Sequence, residues 1–191
     1  MLANEETLYS HADYFALEEQ AEVKSEYYQG HVVAMTGASL NHNRLVRNTT
    51  FAINDQLTGQ PCEIFIGDVR VWVEKKDVFA YPDVMVVCGS PALMENRTDT
   101  LTNPKVIIKV LSPSTMGYDR GEKFQAYWSL DSFEEYVLVD QHQIRVEYFR
   151  RVDKTLWELR IFTKLDDSLT LQSIDTKISL HKIYQDVRGE M

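Results

Sequence analysis

Apolar and polar positions along the chain change period several times, and each change marks an element. From Ser10 to about Gln20 the pattern is helical, with Ser10 placed as an N-cap and Tyr14, Phe15 and Leu17 supplying the apolar side. In "SEYYQGHVVAMTG" two short runs rich in Tyr and Val flank Gln29-Gly30, the sequence form of a tight hairpin turn. From Ser39 to Leu57, the residues His42, Val46, Thr49, Ile53 and Leu57 recur three or four apart, which predicts an amphipathic helix with Gly59 as its stop. The following stretch alternates. Ile64 and Ile66 share one parity, as do Val71 and Val73, and "GDVRVWVEKKD" ends in charge, so one or two half-buried strands are expected.

"PDVMVVCG" and "KVIIKVLSP" are nearly continuous in Val, Ile, Leu and Met, as in central strands covered on both faces. The polar "SPALMENRTDTLT" between them reads as loop. "GYDRGEKFQAYWSLD" is a second helical pattern with Phe124, Tyr127 and Trp128 on one face, and "EEYVLVD", "IRVEYFRRV" and "TLWELRIFTKL" read as further strands. The fold class predicted is α/β or α+β, a sheet with helices packed on it. With 191 residues, 44% of them hydrophobic, one domain spanning 1–191 is sufficient, and no internal repeat or linker interrupts it.

No apolar run approaches the roughly 20 residues of a membrane-spanning helix, and no signal pattern opens the chain, so a cytoplasmic protein is expected. Cys62 and Cys88 each stand in an apolar, strand-like run without a second Cys or a His at zinc-ligand spacing, and both are read as reduced core residues. The net charge of −9 argues against a nucleic-acid partner, because such proteins usually carry a basic face.

Asp83, after Pro82 at the opening of a buried strand, is either a turn or cap residue or a ligand held rigidly by the sheet. Asp119 and Lys123, at i and i+4, would meet on one helix face, as many exposed ion pairs do. His42 continues the inward stripe of its helix and faces either a site or the core. Arg44, Arg47, Arg120 and Lys75-Lys76 are solvated charges or phosphate contacts, and Trp72, Trp128 and Trp157 fit core or interface anchors.

The order of these pieces carries more than any one of them. "KSEYYQGHVVAMTGASLNHN", "YPDVMVVC", "NPKVIIKVLSPST", "YDRGEKFQAYWS" and "EEYVLVD" together resemble the putative restriction endonuclease family of the PD-(D/E)XK nuclease superfamily, over nearly the whole chain. The resemblance implies a restriction-endonuclease-like mixed sheet flanked by helices, with additional antiparallel strands. It implies metal-dependent hydrolysis of DNA phosphodiesters with Mg2+ or Mn2+. The implied site holds a carboxylate in the Pro-Asp strand, matched by Asp83 as metal ligand, and a glutamate in the next strand. It also holds a lysine, matched by Lys123 on the later helix, while Leu111 stands at the usual strand position of that lysine.

At the glutamate's position this chain has Lys109. Magnesium requires hard oxygen ligands, and an ammonium group about 4 Å from a dication opposes it by roughly 8 kcal/mol at an effective dielectric near 20, where a glutamate would attract it. Two readings therefore stand beside each other. In one, Lys109 pairs with Asp83 and displaces the metal, leaving a catalytically silent binding or interaction module. In the other, Lys109 swings aside and Glu26, Asp68 or Asp119 supplies the missing oxygen, Glu26 being favoured because the resemblance includes that acidic residue. A homodimer is expected from the aromatic-rich late strands and from the need to cut both strands of a duplex.

Overall fold

The computed structural model describes residues 7–112 and 116–188. Helix α1 (His11–Gln20) begins with a capping box in which the Ser10 hydroxyl accepts from Asp13 N–H and the Asp13 carboxylate accepts from Ser10 N–H. Tyr14 is its buried anchor, whereas Leu17 points to solvent, so the apolar side is narrower than its sequence suggests. Strands β1 (Ser25–Tyr28) and β2 (His31–Ala34) form the expected hairpin. Its turn residues Gln29 and Gly30 both have positive φ, 47° and 94°, the conformation that a two-residue turn of this twist requires. Helix α2 (Leu40–Asn54), capped by the Ser39 hydroxyl, stops one turn short of the expected Leu57.

Strands β3 (Cys62–Ile66), β4 (Arg70–Val73), β5 (Val78–Ala80), β6 (Val84–Cys88), β7 (Thr100–Leu101) and β8 (Val106–Leu111) follow in the chain. The helical pattern after them is broken at Gly121 into α3 (Met116–Arg120) and α4 (Glu122–Trp128). Strands β9 (Glu135–Asp140), β10 (Val146–Arg151) and β11 (Trp157–Phe162) complete the series that the sequence pattern indicates. Strands β12 (Ser168–Leu171) and β13 (Thr176–Ser179) and helix α5 (Leu180–Ile183) form an additional unit that short, polar-rich segments do not announce.

The main sheet has the order β11-β10-β9-β8-β6-β3, with β8 and β9 parallel and the other neighbours antiparallel. A second sheet, β2-β1-β5-β4-β7, packs on one of its faces. The pleat divides the core. Even-numbered residues of β6 and β8, such as Val84, Val86, Ile108 and Val110, pack under α2, β12, β13 and α5. Odd-numbered residues, such as Met85, Val87, Ile107 and Leu111, pack against α4 and the second sheet. Asp83 and Lys109 are odd, so both side chains are directed into the layer between the main sheet, the second sheet and α4. The mixed α+β class expected from the sequence, a mixed sheet flanked by helices with additional antiparallel strands, is the one observed.

Cys62 and Cys88 are not the reduced core residues expected. They are bonded as a disulfide, with Cα atoms 4.0 Å apart. The reason is register: β3 and β6 pair antiparallel with Cys62 directly opposite Cys88, next to the pair in which Gly89 N–H donates to Pro61 O. That places the cysteines at a non-hydrogen-bonded pair, where facing Cα atoms come closest. A separation of 26 residues in sequence conceals this proximity.

Candidate functional site

Asp83 lies one residue before β6, and the register that pairs Val84 with Ile108 puts it opposite Lys109. Lys109 Nζ lies 3.2 Å from Asp83 Oδ2, and it donates to the main-chain oxygen of Tyr81 at 3.1 Å. The same Asp83 oxygen accepts from Val110 N–H at 2.6 Å, while Oδ1 faces His42 Nε2 on α2 at 3.4 Å. The two side chains of the ion pair are 7% and 11% exposed, so the pair is shielded from solvent.

A second lysine completes the layer. Lys123 Nζ on α4 lies 2.8 Å from Glu26 Oε2 and 3.1 Å from Asp119 Oδ1. Glu26 on β1 is fixed from two more directions, accepting from Tyr81 N–H at 3.0 Å and from the Tyr28 hydroxyl at 2.9 Å. Asp119 is fully buried, and its carboxylate oxygens make no aligned hydrogen bond; its contact with Lys123 is an ion pair alone. The expected exposed i, i+4 bridge is therefore a buried one, because α3 and α4 pack with Asp119 and Lys123 on their covered side.

Burial raises the pKa of the Asp83 carboxyl, but the Lys109 ammonium, the His42 ring and the Val110 N–H more than offset this and hold it at about 2. Burial lowers the pKa of Lys109, but Asp83, Asp119 and Glu26 around it more than offset this and raise it above the ordinary lysine value. Tyr127 and Tyr136, both buried in the same layer, have phenols pushed far up by desolvation and by these acids, so they remain neutral.

The structure thus brings together Asp83, Lys109, Glu26, Asp119, Lys123 and His42, and leaves Asp68 outside: its exposed carboxylate pairs with Lys24. Leu111 is buried in the apolar core. Of the other cations, Arg120 is held by Glu147 at 2.9 Å, Lys75 by Asp131 at 3.2 Å, and Arg44 and Arg47 by Asn41 and Asn48 on their own helix. Trp72 stacks on Phe79 and Trp157 packs on Phe133, as anchors. Residues 113–115 of the Ser-Pro-Ser-Thr segment lie outside the described residues. Sequence reasoning missed Tyr81, whose main chain serves both Lys109 and Glu26; a backbone contact leaves no side-chain signal to find.

The model of Uma2, described as "Putative restriction endonuclease", matches residues 11–181. The chain belongs to this family. Two relatives come from Synechocystis sp.: the uncharacterized protein sll1609 is 39% identical over 148 residues, spanning 78% of this chain and 84% of that one. The uncharacterized protein slr1290 is 33% identical over 174 residues, spanning 91% and 90%. In fold, the Uma2 chain resembles a crystal structure titled as a putative nuclease belonging to DUF820 from Anabaena variabilis. The TM-score is 0.73 at 18% identity, covering 91% of this chain and 96% of the other.

In this Uma2 chain the carboxylates of Asp83, Glu26 and Asp119 each face a lysine. Both Asp83 oxygens and both Glu26 oxygens face donors of the protein, and a lysine stands where the family resemblance places a glutamate. Among the described residues no group of three or more His, Cys, Asp or Glu side chains is arranged to hold a cation. No helix among them is long and apolar enough to cross a membrane.

Proposed function

We propose that this chain is a nuclease-fold protein whose hydrolytic centre is closed by Lys109 and which works by binding a partner rather than by cutting DNA. The observation that carries this reading is the Lys109 ammonium 3.2 Å from Asp83 and 3.1 Å from the Tyr81 carbonyl oxygen, in a buried pair. The ammonium supplies the positive charge that the acidic layer needs, from inside the chain. Because the lysine stem is held at its head by two acceptors, its charge is not available to a phosphate outside. The net charge of −9 supports a protein partner over one that carries dense phosphate.

A second reading, a metal-dependent DNA endonuclease, is supported by the family and by the convergence of Asp83, Glu26, Asp119 and Lys123 in one layer. Titration calorimetry with manganese, together with nicking of supercoiled plasmid, separates the two. Under the first reading the wild-type protein neither binds manganese nor nicks, and Lys109→Glu gains manganese affinity. Micromolar manganese binding with nicking by the wild type establishes the second.

A further inference from the structure

We propose that β11 is a self-complementary dimerisation edge, on which a second copy of this chain adds its own β11 antiparallel and extends the main sheet across a two-fold axis at Leu159. This inference is independent of whether the buried layer cuts DNA.

Strand β11 is the last strand of the main sheet, and among the described residues no strand pairs with its outer side. Six residues long, it exceeds the five of β3 at the opposite edge. Which of its main-chain groups are free follows from its inner neighbour. Val152 N–H donates to Leu156 O, and the register pairs residues whose numbers differ symmetrically about that pair, Arg151 with Trp157 through Val146 with Phe162. Hydrogen-bonded and non-hydrogen-bonded pairs alternate in an antiparallel ladder. Glu158, Arg160 and Phe162 therefore turn their main-chain groups toward β10, and Trp157, Leu159 and Ile161 turn theirs outward. Arg151, opposite Trp157, confirms the phase, because its N–H donates away from β11, to Glu134 O.

A second β11 meeting this edge with Leu159 opposite Leu159 closes hydrogen-bonded pairs at Leu159 with its copy and, on either side, at Trp157 with Ile161. In that register Glu158 faces Arg160 of the other copy, and Arg160 faces its Glu158, at the non-hydrogen-bonded positions where side chains approach most closely. A shift of two residues puts Glu158 against its own copy in one direction and Arg160 against its own copy in the other, and either way loses both charge pairs. Charge complementarity thus selects one register, and the register is its own mirror under the two-fold.

The other face agrees. Leu159 and Ile161 are 49% and 46% exposed on a strand whose Trp157 is an aromatic anchor of the core, so pairing would cover two apolar side chains beside an existing apolar cluster. Natural edges are usually protected by lysine, proline or a bulge. This one carries instead Glu158 and Arg160, which pair with each other at 2.8 Å within one chain, with Arg150 at 2.9 Å beside them, and which a second copy meets as the matching base and acid.

Sedimentation equilibrium on the full chain tests the proposal. The wild type is expected to dimerise at tens of micromolar. Glu158→Arg and Arg160→Glu each place like charges at both facing positions and are expected to weaken the dimer at least tenfold, whereas the double exchange restores it. Leu159→Cys, at an exposed position, adds a register readout: it is expected to give a covalent dimer under oxidation, while Glu158→Cys, which faces Arg160 rather than itself, does not. A wild type that is still monomeric well above that concentration range, or a dimer indifferent to both single charge exchanges, overturns the proposal. Circular dichroism melts establish that each variant is folded before its assembly is compared.

Discussion

Asp83 and Lys109 are cross-strand partners at the open end of the β6–β8 ladder, one step beyond Val84 and Ile108, with Nζ and Oδ2 3.2 Å apart. Because both lie on the odd face of their strands, neither can leave the layer without breaking the alternation that buries Met85 and Ile107. The pair is therefore a structural element in its own right, and removing one member exposes its worth.

Replacing the cation alone should be costly. Lys109→Met leaves Asp83 buried with only His42 and Val110 N–H, and it strips the Tyr81 carbonyl of its donor; a loss of about 3 kcal/mol is expected in urea denaturation. Adding Asp83→Asn to it should recover part of that loss, since two neutral groups replace one uncompensated charge. Equal stability of the single and double variants would show that the ion pair is not coupled.

The acid limb of stability should report Asp83. Its folded pKa, held at about 2, lies below the unfolded value of 3.8, so its contribution is present above the unfolded value and is lost as pH falls through the folded one. The difference corresponds to about 2 kcal/mol. The stability gap between wild type and Asp83→Asn should therefore be constant near neutrality and narrow between about pH 5 and pH 2. A gap that does not change over that window contradicts the assignment.

Lys123 holds two acids from different parts of the chain, Glu26 on β1 and Asp119 on α3. Lys123→Met should destabilise by about 3 to 5 kcal/mol, because both carboxyl groups lose their buried counter-charge. In a double-mutant cycle with Glu26→Gln, thermal or urea melts should give a coupling energy of about 1 to 3 kcal/mol.

The Cys62–Cys88 disulfide closes a loop spanning 26 residues of sequence separation. In the chain-entropy account, a loop of this length contributes about 3 kcal/mol. Thiol titration of the unfolded, unreduced protein should find no free thiol, and a reductant should lower the melting temperature by several degrees, on the order expected for a chain of this size. Two titratable thiols in protein purified without reductant would contradict the bond.

Much of this was legible beforehand, and for a definite reason. The hairpin at Gln29-Gly30, the amphipathic α2 and the apolar strands β6 and β8 depend on local periodicity and turn chemistry, which neighbouring residues express directly. The late unit of β12, β13 and α5 was not legible. Its segments are four residues long, too short to show a period, and its apolar residues Leu169, Leu171 and Ile178 are buried only because the main sheet is there to cover them.

The candidate site divides in the same way. By itself the sequence determined which chemical groups the chain owns and the order in which strands and helices present them. Asp83 opens an apolar strand, Lys109 interrupts the next one in place of an acid, and Lys123 follows Asp119 by one turn. Tertiary structure decided which of these groups meet. Register set Lys109 opposite Asp83 and Cys62 opposite Cys88, the packing of α3 and α4 buried Asp119 and Lys123, and the packing of the second sheet brought Glu26 to Lys123. The reason is physical: pairing across strands and layers depends on how separated segments share a core, and a buried charge is tolerated only where that core supplies its partner.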